Sequence, residues 1–495
     1  MYLTTVGLCM VIVIGLYFLN NPQKHSRWFM MRRFINWFPL GMTYAFLYMG
    51  RYNLTVSKAA LGSLMSKEDF GWIAAAGTCT YALSFIVNGP LVDRIGGKKG
   101  ILIGALGSSF ANLLMGVLTY LVVTHQLKIK LVTAFSTIYA LNMYFQSYGA
   151  VSIIKIKAYW FHVRERGVFG AIFGSLISVG IYFAIDWGQG IAEMTKAVRG
   201  NNPTWLHRAI LDVFALKGGG VDATWAVFYI PAIILVFWAL IDWWVIKDTP
   251  EGAGFPPFEA YDASHGQMHI KLSKMDLLRK VFTSPLMIMI ALIELTSGVF
   301  RDGITNWYFI FSAEVKQPGA LFFQEHWGWL LCLFGILGGL AAGWSSDKLF
   351  QSRRGPPAAI LCGIVLVTSL VMSGVLYSSP VLAGWAGVVI VMCAVGITSL
   401  MSGTAAADFG GRKATATCMG IVDGFAYIGS GLQAVCLSHI TTLNWRMWPV
   451  FLTPFALLGL IIAIRIWHAL PQATRRYIAE VEQQNPPAAA VASTV

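Results

Sequence analysis

Predominantly apolar stretches of about 20 residues recur thirteen times along this 495-residue chain, and a run of that length crosses the roughly 30 Å hydrocarbon layer of a bilayer as a helix. They fall at 2–19, 34–56, 69–92, 100–124, 131–153, 168–189, 223–246, 284–311, 326–345, 357–379, 382–404, 413–438 and 447–468. Inside lipid an unpaired backbone N–H or C=O has no water to bond, so each run is expected to be helical. The composition agrees. Charged residues make up only 12% of the chain and the mean hydropathy is +0.63, which excludes an ordinary soluble enzyme with about 25% charge. The first run lacks a charged leader and a small-x-small cleavage pattern, so residues 1–33 read as an uncleaved extra span followed by a basic linker.

The net charge of +13 does not point to nucleic acid, because the 36 Lys and Arg sort by loop. With residues 21–33 on the cytoplasmic side, the alternate loops on that side hold 23 of them and the opposite loops ten. This positive-inside bias also places the C-terminus in the cytoplasm. Residues 34–246 then form a first six-helix half, 247–283 a cytoplasmic connection and 284–470 a second six-helix half. The tail 471–495 is polar and low in complexity, hence disordered. All seven cysteines fall in apolar runs without a Cys-x-x-Cys pair, which marks them as small apolar residues rather than metal ligands or disulfide partners. No cofactor is expected, and the absence of Gly-x-x-x-x-Gly-Lys-(Ser/Thr) argues against ATP-driven pumping. Residues 205–214 have the pattern of an amphipathic helix lying on the bilayer face. The expected partners are the lipid bilayer and a small solute, with a monomer as the working unit.

One short turn occurs twice. Gly89-Pro-Leu-Val-Asp93-Arg94-Ile-Gly-Gly-Lys98-Lys99 follows the third run, and Gly343-Trp-Ser-Ser-Asp347-Lys348, with Arg353 and Arg354, follows the ninth, an offset of 254 residues between the two aspartates. Its glycine is expected to let two helices approach closely. Asp93, Arg94, Asp347, Lys348 and Arg166 are expected to form ionic contacts that hold one conformation of moving helices.

Two arginines lie where arginine is expensive, at about 2.5–3.5 kcal/mol on insertion scales. Arg51 and Arg301 sit at similar depths in the first helix of each half, 250 residues apart, so pseudosymmetry turns them toward one cavity. Two guanidinium groups in low dielectric repel unless an anion lies between them, and phosphate oxygens match their forked donors. The alternative is local pairing of Arg301 with Glu294, on about the same face, or with Asp302, adjacent but some 100° around the helix. Arg51 has no acid within its own span. Tyr52, Asn53, Gln146, Tyr148 and Asn306 are candidates to line the site with them, while Asp186 and Asp423 are polar residues in or near spans that could pair with a cation or carry a proton.

The repeated turn resembles the signature of the major facilitator superfamily, which implies an all-α polytopic membrane protein: two six-helix halves with the substrate site between them, here with an extra N-terminal transmembrane helix. Other stretches are similar to the organophosphate:inorganic phosphate antiporters, the group of glycerol-3-phosphate and hexose-6-phosphate transporters. These are the linker Asp248-Thr-Pro250-x-x-x-Gly254-x-Pro256-Pro257-x-Glu259-x-Tyr261, Arg51 with Asn53, Arg301-Asp-Gly303-Ile304-Thr-Asn306-Trp307, Phe145-Gln146-x-x-Gly149 and Glu165-Arg166-Gly167. The resemblance implies that Arg51 and Arg301 bind phosphate, and that a phosphorylated metabolite is exchanged for inorganic phosphate across a bacterial inner (plasma) membrane. Tyr52 stands where glycerol-phosphate members carry lysine, and Asn306 and Cys332 where they carry acids, so one positive and two negative charges are lost together. Ile177 and Phe85 replace a family histidine and lysine. A changed polar shell implies changed specificity. A sugar-phosphate sensor signalling to a kinase and a proton-coupled organic anion carrier are the alternatives of the same architecture.

Overall fold

The computed structural model describes residues 2–19, 21, 23–161, 166–197, 204–214, 221–256, 282–350, 353–402 and 406–469, and among them there is no strand. The helices are α1 (Tyr2–Leu19), α2 (Arg27–Leu61), α3 (Lys67–Ile95), α4 (Gly97–Val123), α5 (Leu131–Trp160) and α6 (Arg166–Tyr182). A π-helical turn at Phe183–Trp187 carries α6 on into Gly188–Met194. Then come α7 (Trp205–Val213), α8 (Ala226–Val245), α9 (Pro285–Val315), α10 (Pro318–Lys348), α11 (Gly355–Val375), α12 (Pro380–Leu400), α13 (Ala406–Leu443) and α14 (Met447–Arg465).

Every apolar run is built on a helix; some runs, such as 357–379, outlast their helix, and many helices begin or end outside their runs because local caps set the ends. The Ser26 hydroxyl accepts from the Phe29 N–H and starts α2 seven residues before the run at Phe34. Ser66 and Asp69 form a reciprocal capping box on α3. Proline occupies the first turn of α9, α10, α11 and α12, where its missing N–H costs nothing. Among the described residues, eight helices are long and apolar enough to cross a membrane by composition alone: α3, α4, α8, α10, α11, α12, α13 and α14. The helices that carry Arg51 and Arg301, α2 and α9, do not qualify. They are as long as the others, but carry their polar residues on faces turned into the protein.

Close seams join the two sets of helices. At Gly71 of α3 an added Cβ would stand 2.4 Å from the Ser438 Cβ of α13, so glycine is required there. Within the second half α9 and α13 cross more tightly still, with the Ala426 carbonyl oxygen 1.8 Å from where a Gly298 Cβ would be. Outward-facing side chains such as Leu83, Val367, Trp243 and Trp244 are exposed and apolar, as a lipid-facing surface requires. Trp243 and Trp244 end α8 in the manner of an interfacial anchor.

Helix α1 lies against α6 and α10. Tyr17 secures it: its hydroxyl donates to the Met30 carbonyl at 2.9 Å and accepts from Arg33 Nε at 2.9 Å. Arg33 is buried and lies 4.4 Å from the Phe161 ring centroid. The stretch 205–214 is indeed helical, with His207 and Leu211 buried and Trp205 and Val213 exposed.

The repeated turns correct one expectation. A Cβ added at Gly89 or Gly343 would touch nothing within 4 Å, so neither glycine marks a close approach. The tight contacts come at the next helix start. A Gly97 Cβ would be 2.6 Å from Ile156, and a Gly355 Cβ 2.5 Å from the Ile466 carbonyl oxygen.

Candidate anion site between the helix halves

Arg51 lies ten residues, about 15 Å, before the end of α2, and its side chain is 4% exposed as a residue. Its guanidinium is fixed from three directions. Nε donates to Gln146 Oε1 at 3.0 Å and Nη1 to the Tyr427 hydroxyl at 2.7 Å. The rings of Tyr81, Tyr48 and Tyr427 stand 4.4, 4.7 and 5.3 Å from Cζ, an arrangement that offsets part of the desolvation of a buried cation. Gln146 is held in turn, since its Nε2 donates to Asn142 Oδ1 at 3.2 Å and Asn142 donates to the Gly50 carbonyl at 2.8 Å. These partners are all neutral, and Nη2 is buried with no hydrogen-bond partner.

Arg301 on α9 faces the same tyrosine, with Cζ 5.3 Å from the Tyr427 ring centroid. The two guanidinium groups are therefore at most about twice 5.3 Å apart and share one ring. Arg301 Nε donates to Asp302 Oδ1 at 3.0 Å, although neighbouring side chains leave a helix about 100° apart. The flexible arginine stem folds back to its neighbour. Glu294 instead accepts from Thr398 Oγ1 at 3.2 Å. Arg301 Nη2, like that of Arg51, is buried and without a hydrogen-bond partner.

The remaining candidates divide. Tyr52 and Asn306 line the cavity beside Arg51, and both bridge α2 to α9: the Tyr52 hydroxyl donates to Asp302 Oδ1 at 2.9 Å, and Thr55 Oγ1 donates to Asn306 Oδ1 at 2.8 Å. Asn53 turns away and donates to Asn112 Oδ1 of α4 at 2.7 Å. Tyr148 pairs with the Tyr144 hydroxyl at 3.2 Å and is not part of the cavity lining. Tyr427, Tyr81, Tyr48 and Thr55 were not legible as site residues, because none of them is charged and Tyr427 lies 376 residues from its partner Arg51. Tyr48 and Thr55, about one helical turn before and after Arg51 on α2, are placed by local spacing.

The cavity, lined by Arg51, Tyr52, Thr55, Asp302, Asn306 and Tyr427 among others, measures about 20 Å³, room for roughly one water; Arg301 stands behind Tyr427 and Asp302 and is not part of its lining. It is sealed toward the end where α2 turns into α3. Lys67 Nζ reaches Glu314 Oε1 at 3.2 Å and the Thr441 carbonyl at 2.9 Å, while Phe70 meets Trp307 edge-on. Asp186, in the π-turn of α6, accepts the Gly328 and Trp329 N–H groups of α10 at 2.7 and 3.0 Å, so it clamps α6 to α10 rather than facing the arginines. Of the turn residues, Asp93 pairs with Lys155 at 2.9 Å, across to α5. Arg94 and Lys348 are exposed, and the side chains of Asp347 and Arg166 lie outside the described residues. The second turn is held instead by Arg354 Nη1 donating to Ser346 Oγ at 2.7 Å.

A helical membrane protein with a buried, two-sided arginine site at the meeting of two helix sets is the class these features define. The chain belongs to the Major Facilitator Superfamily, whose model matches residues 40–434. It is 25% identical over 435 residues to the membrane sensor protein UhpC of Salmonella typhimurium (strain LT2), covering 85% of this chain and 88% of that one. It is 24% identical over 413 residues to the glycerol-3-phosphate transporter of Bacillus subtilis (strain 168), covering 81% and 85%, and 23% identical over 477 residues to a probable hexose phosphate transport protein of Chlamydia pneumoniae, covering 92% and 94%. The fold is similar to that of a bacterial homolog of the human lysosomal transporter Spinster in an inward-facing, unoccupied conformation (TM-score 0.67, 14% identity, 90% of this chain and 98% of that one). It also matches the E. coli fucose:proton symporter FucP (TM-score 0.51, 14% identity, 87% and 98%).

Proposed function

We propose that this protein is a secondary transporter that carries a phosphorylated small metabolite, a sugar phosphate or glycerol phosphate, in exchange for inorganic phosphate by alternating access. The observation that carries the reading is the pair Arg51 and Arg301, one from each half, both against the Tyr427 ring and each with a buried guanidinium nitrogen free. A phosphate between them satisfies both forks and ties the halves together, which lowers the cost of passing through the closed state. Relatives named for hexose phosphate and glycerol-3-phosphate transport supply the substrate class. In this reading the Lys67–Glu314 end is the periplasmic side of a bacterial inner membrane, and the C-terminus is cytoplasmic. Asp93, Arg94, Asp347, Lys348 and Arg166 serve the conformational change.

The test is exchange of labelled phosphate in proteoliposomes preloaded with phosphate, challenged with unlabelled sugar and glycerol phosphates. Exchange blocked by one organic phosphate is expected. Phosphate-induced stabilisation of the purified protein without any exchange would favour a sensor, the role named for UhpC, and neither binding nor exchange would refute the phosphate reading.

A further inference from the structure

One buried acidic constellation is left unused by the anion site. Glu294 lies two turns before Arg301 on α9 and is completely buried. Its Oε2 accepts from the Thr398 hydroxyl of α12, which also contacts Ser297 Oγ at 2.9 Å; its Oε1 has no hydrogen-bond partner. Asp423 lies one turn before Tyr427 on α13, on the same helical face. The close crossing at Gly298 and Ala426 and the Trp307–Gln433 hydrogen bond further along set the two helices side by side in the same direction, so Glu294 and Asp423, four and three residues before the crossing, lie at one level, with Ser402 beside both.

Among the described residues Arg301 is the positive charge near the pair, and its Nε is already engaged by Asp302. From α12 the facing groups are hydroxyls. From α11 and α14 the same cluster receives Cys362, Ile462 and Ala463, and α3 meets α13 here through Phe85 and Ala82. Two carboxylates in such a place do not both stay ionised. Glu294 is enclosed, whereas Asp423 is partly exposed.

We propose that Glu294 and Asp423 form a proton-binding site, holding one proton between them, and that this proton is coupled to the anion bound at Arg301. The coupling rests on the phosphate reading above; the proton site does not. With both carboxylates charged, two negative groups oppose an incoming phosphate two helical turns away. With one proton bound, that opposition is halved.

Two measurements separate these claims. Infrared titration of the purified protein is expected to show a protonated carboxyl band near neutral pH that is missing in both Glu294→Gln and Asp423→Asn, each checked for wild-type gel-filtration behaviour. Loss in neither variant, or displacement of the band by Na+ at constant pH, overturns the proton site. Phosphate binding from pH 5.5 to 8.5 is then compared between wild type and Glu294→Gln, which cancels the titration of phosphate itself. The wild-type affinity should fall more steeply, by up to about tenfold per pH unit for one coupled proton. Parallel profiles overturn the coupling. A wild type that binds no phosphate at any pH refutes the anion reading and the coupling with it, while the infrared result still decides the proton site.

Discussion

Replacing Arg51 by lysine isolates what a guanidinium does that a charge alone does not. Arginine here uses Nε on Gln146, Nη1 on Tyr427 and three tyrosine faces, and keeps Nη2 for a ligand. A lysine ammonium reaches one of those two partners and presents no planar fork. The loss is therefore about one hydrogen bond made by a charged group, worth roughly 1.5–3 kcal/mol, which weakens phosphate binding about ten- to hundredfold. Arg51→Gln removes the charge as well and should abolish binding, yet it leaves no buried cation to desolvate, so the protein should unfold no earlier than wild type. Phosphate-dependent thermal stabilisation in detergent and labelled-phosphate exchange read the two effects separately. Arg51→Lys binding within twofold of wild type would refute the role of the fork, and phosphate exchange retained in Arg51→Gln would refute the site.

Other perturbations test the scaffold. Gly298→Ala must open the α9–α13 crossing by well over 1 Å, so a loss of at least the ~1–3 kcal/mol typical of overpacking is expected as a lower melting temperature in detergent. Tyr17→Phe removes the hydroxyl shared by Arg33 and the Met30 carbonyl and should cost about 1.5–3 kcal/mol, with earlier proteolysis of α1 as the direct readout. Lys67→Ala breaks a partly exposed pair worth about 1 kcal/mol at most. It should shift the population toward opening at that end by no more than about fivefold, measured as accessibility of a cysteine placed near Thr55.

The helices were legible because hydrocarbon leaves the backbone few choices, and the arginines because a cation in an apolar run demands an explanation. Their ends were less so: the caps at Ser26 and Ser66 carry helix past the apolar residues, and hydropathy does not register caps. Asn53 and Gln146 show the limit on site residues. Both are buried amides within a span, yet Gln146 reaches Arg51 and Asn53 faces α4, a difference set by rotation about each helix axis and by neighbours distant in sequence. The glycines of the repeated turn show another limit. Their spacing repeats, but which glycine is crowded depends on the helix that follows.

Charge accounting joins the anion site to the acidic pair. The groups that meet at the centre are Arg51, Arg301 and Asp302, a net charge of +1. The position that carries lysine in glycerol-phosphate members of the family holds Tyr52, whose hydroxyl donates to Asp302, so the acid gains a neutral partner rather than a second cation. A phosphate dianion brings the centre to −1 in low dielectric. Two ionised carboxylates at Glu294 and Asp423 would make that −3, a state a membrane interior strongly disfavours, and each proton delivered to the pair removes one unit. The same count predicts that Asp302→Asn, by raising the centre to +2, tightens phosphate binding and slows its release. Faster exchange together with weaker binding in that variant would show that Asp302 serves to hold Arg301 in place rather than to set the charge.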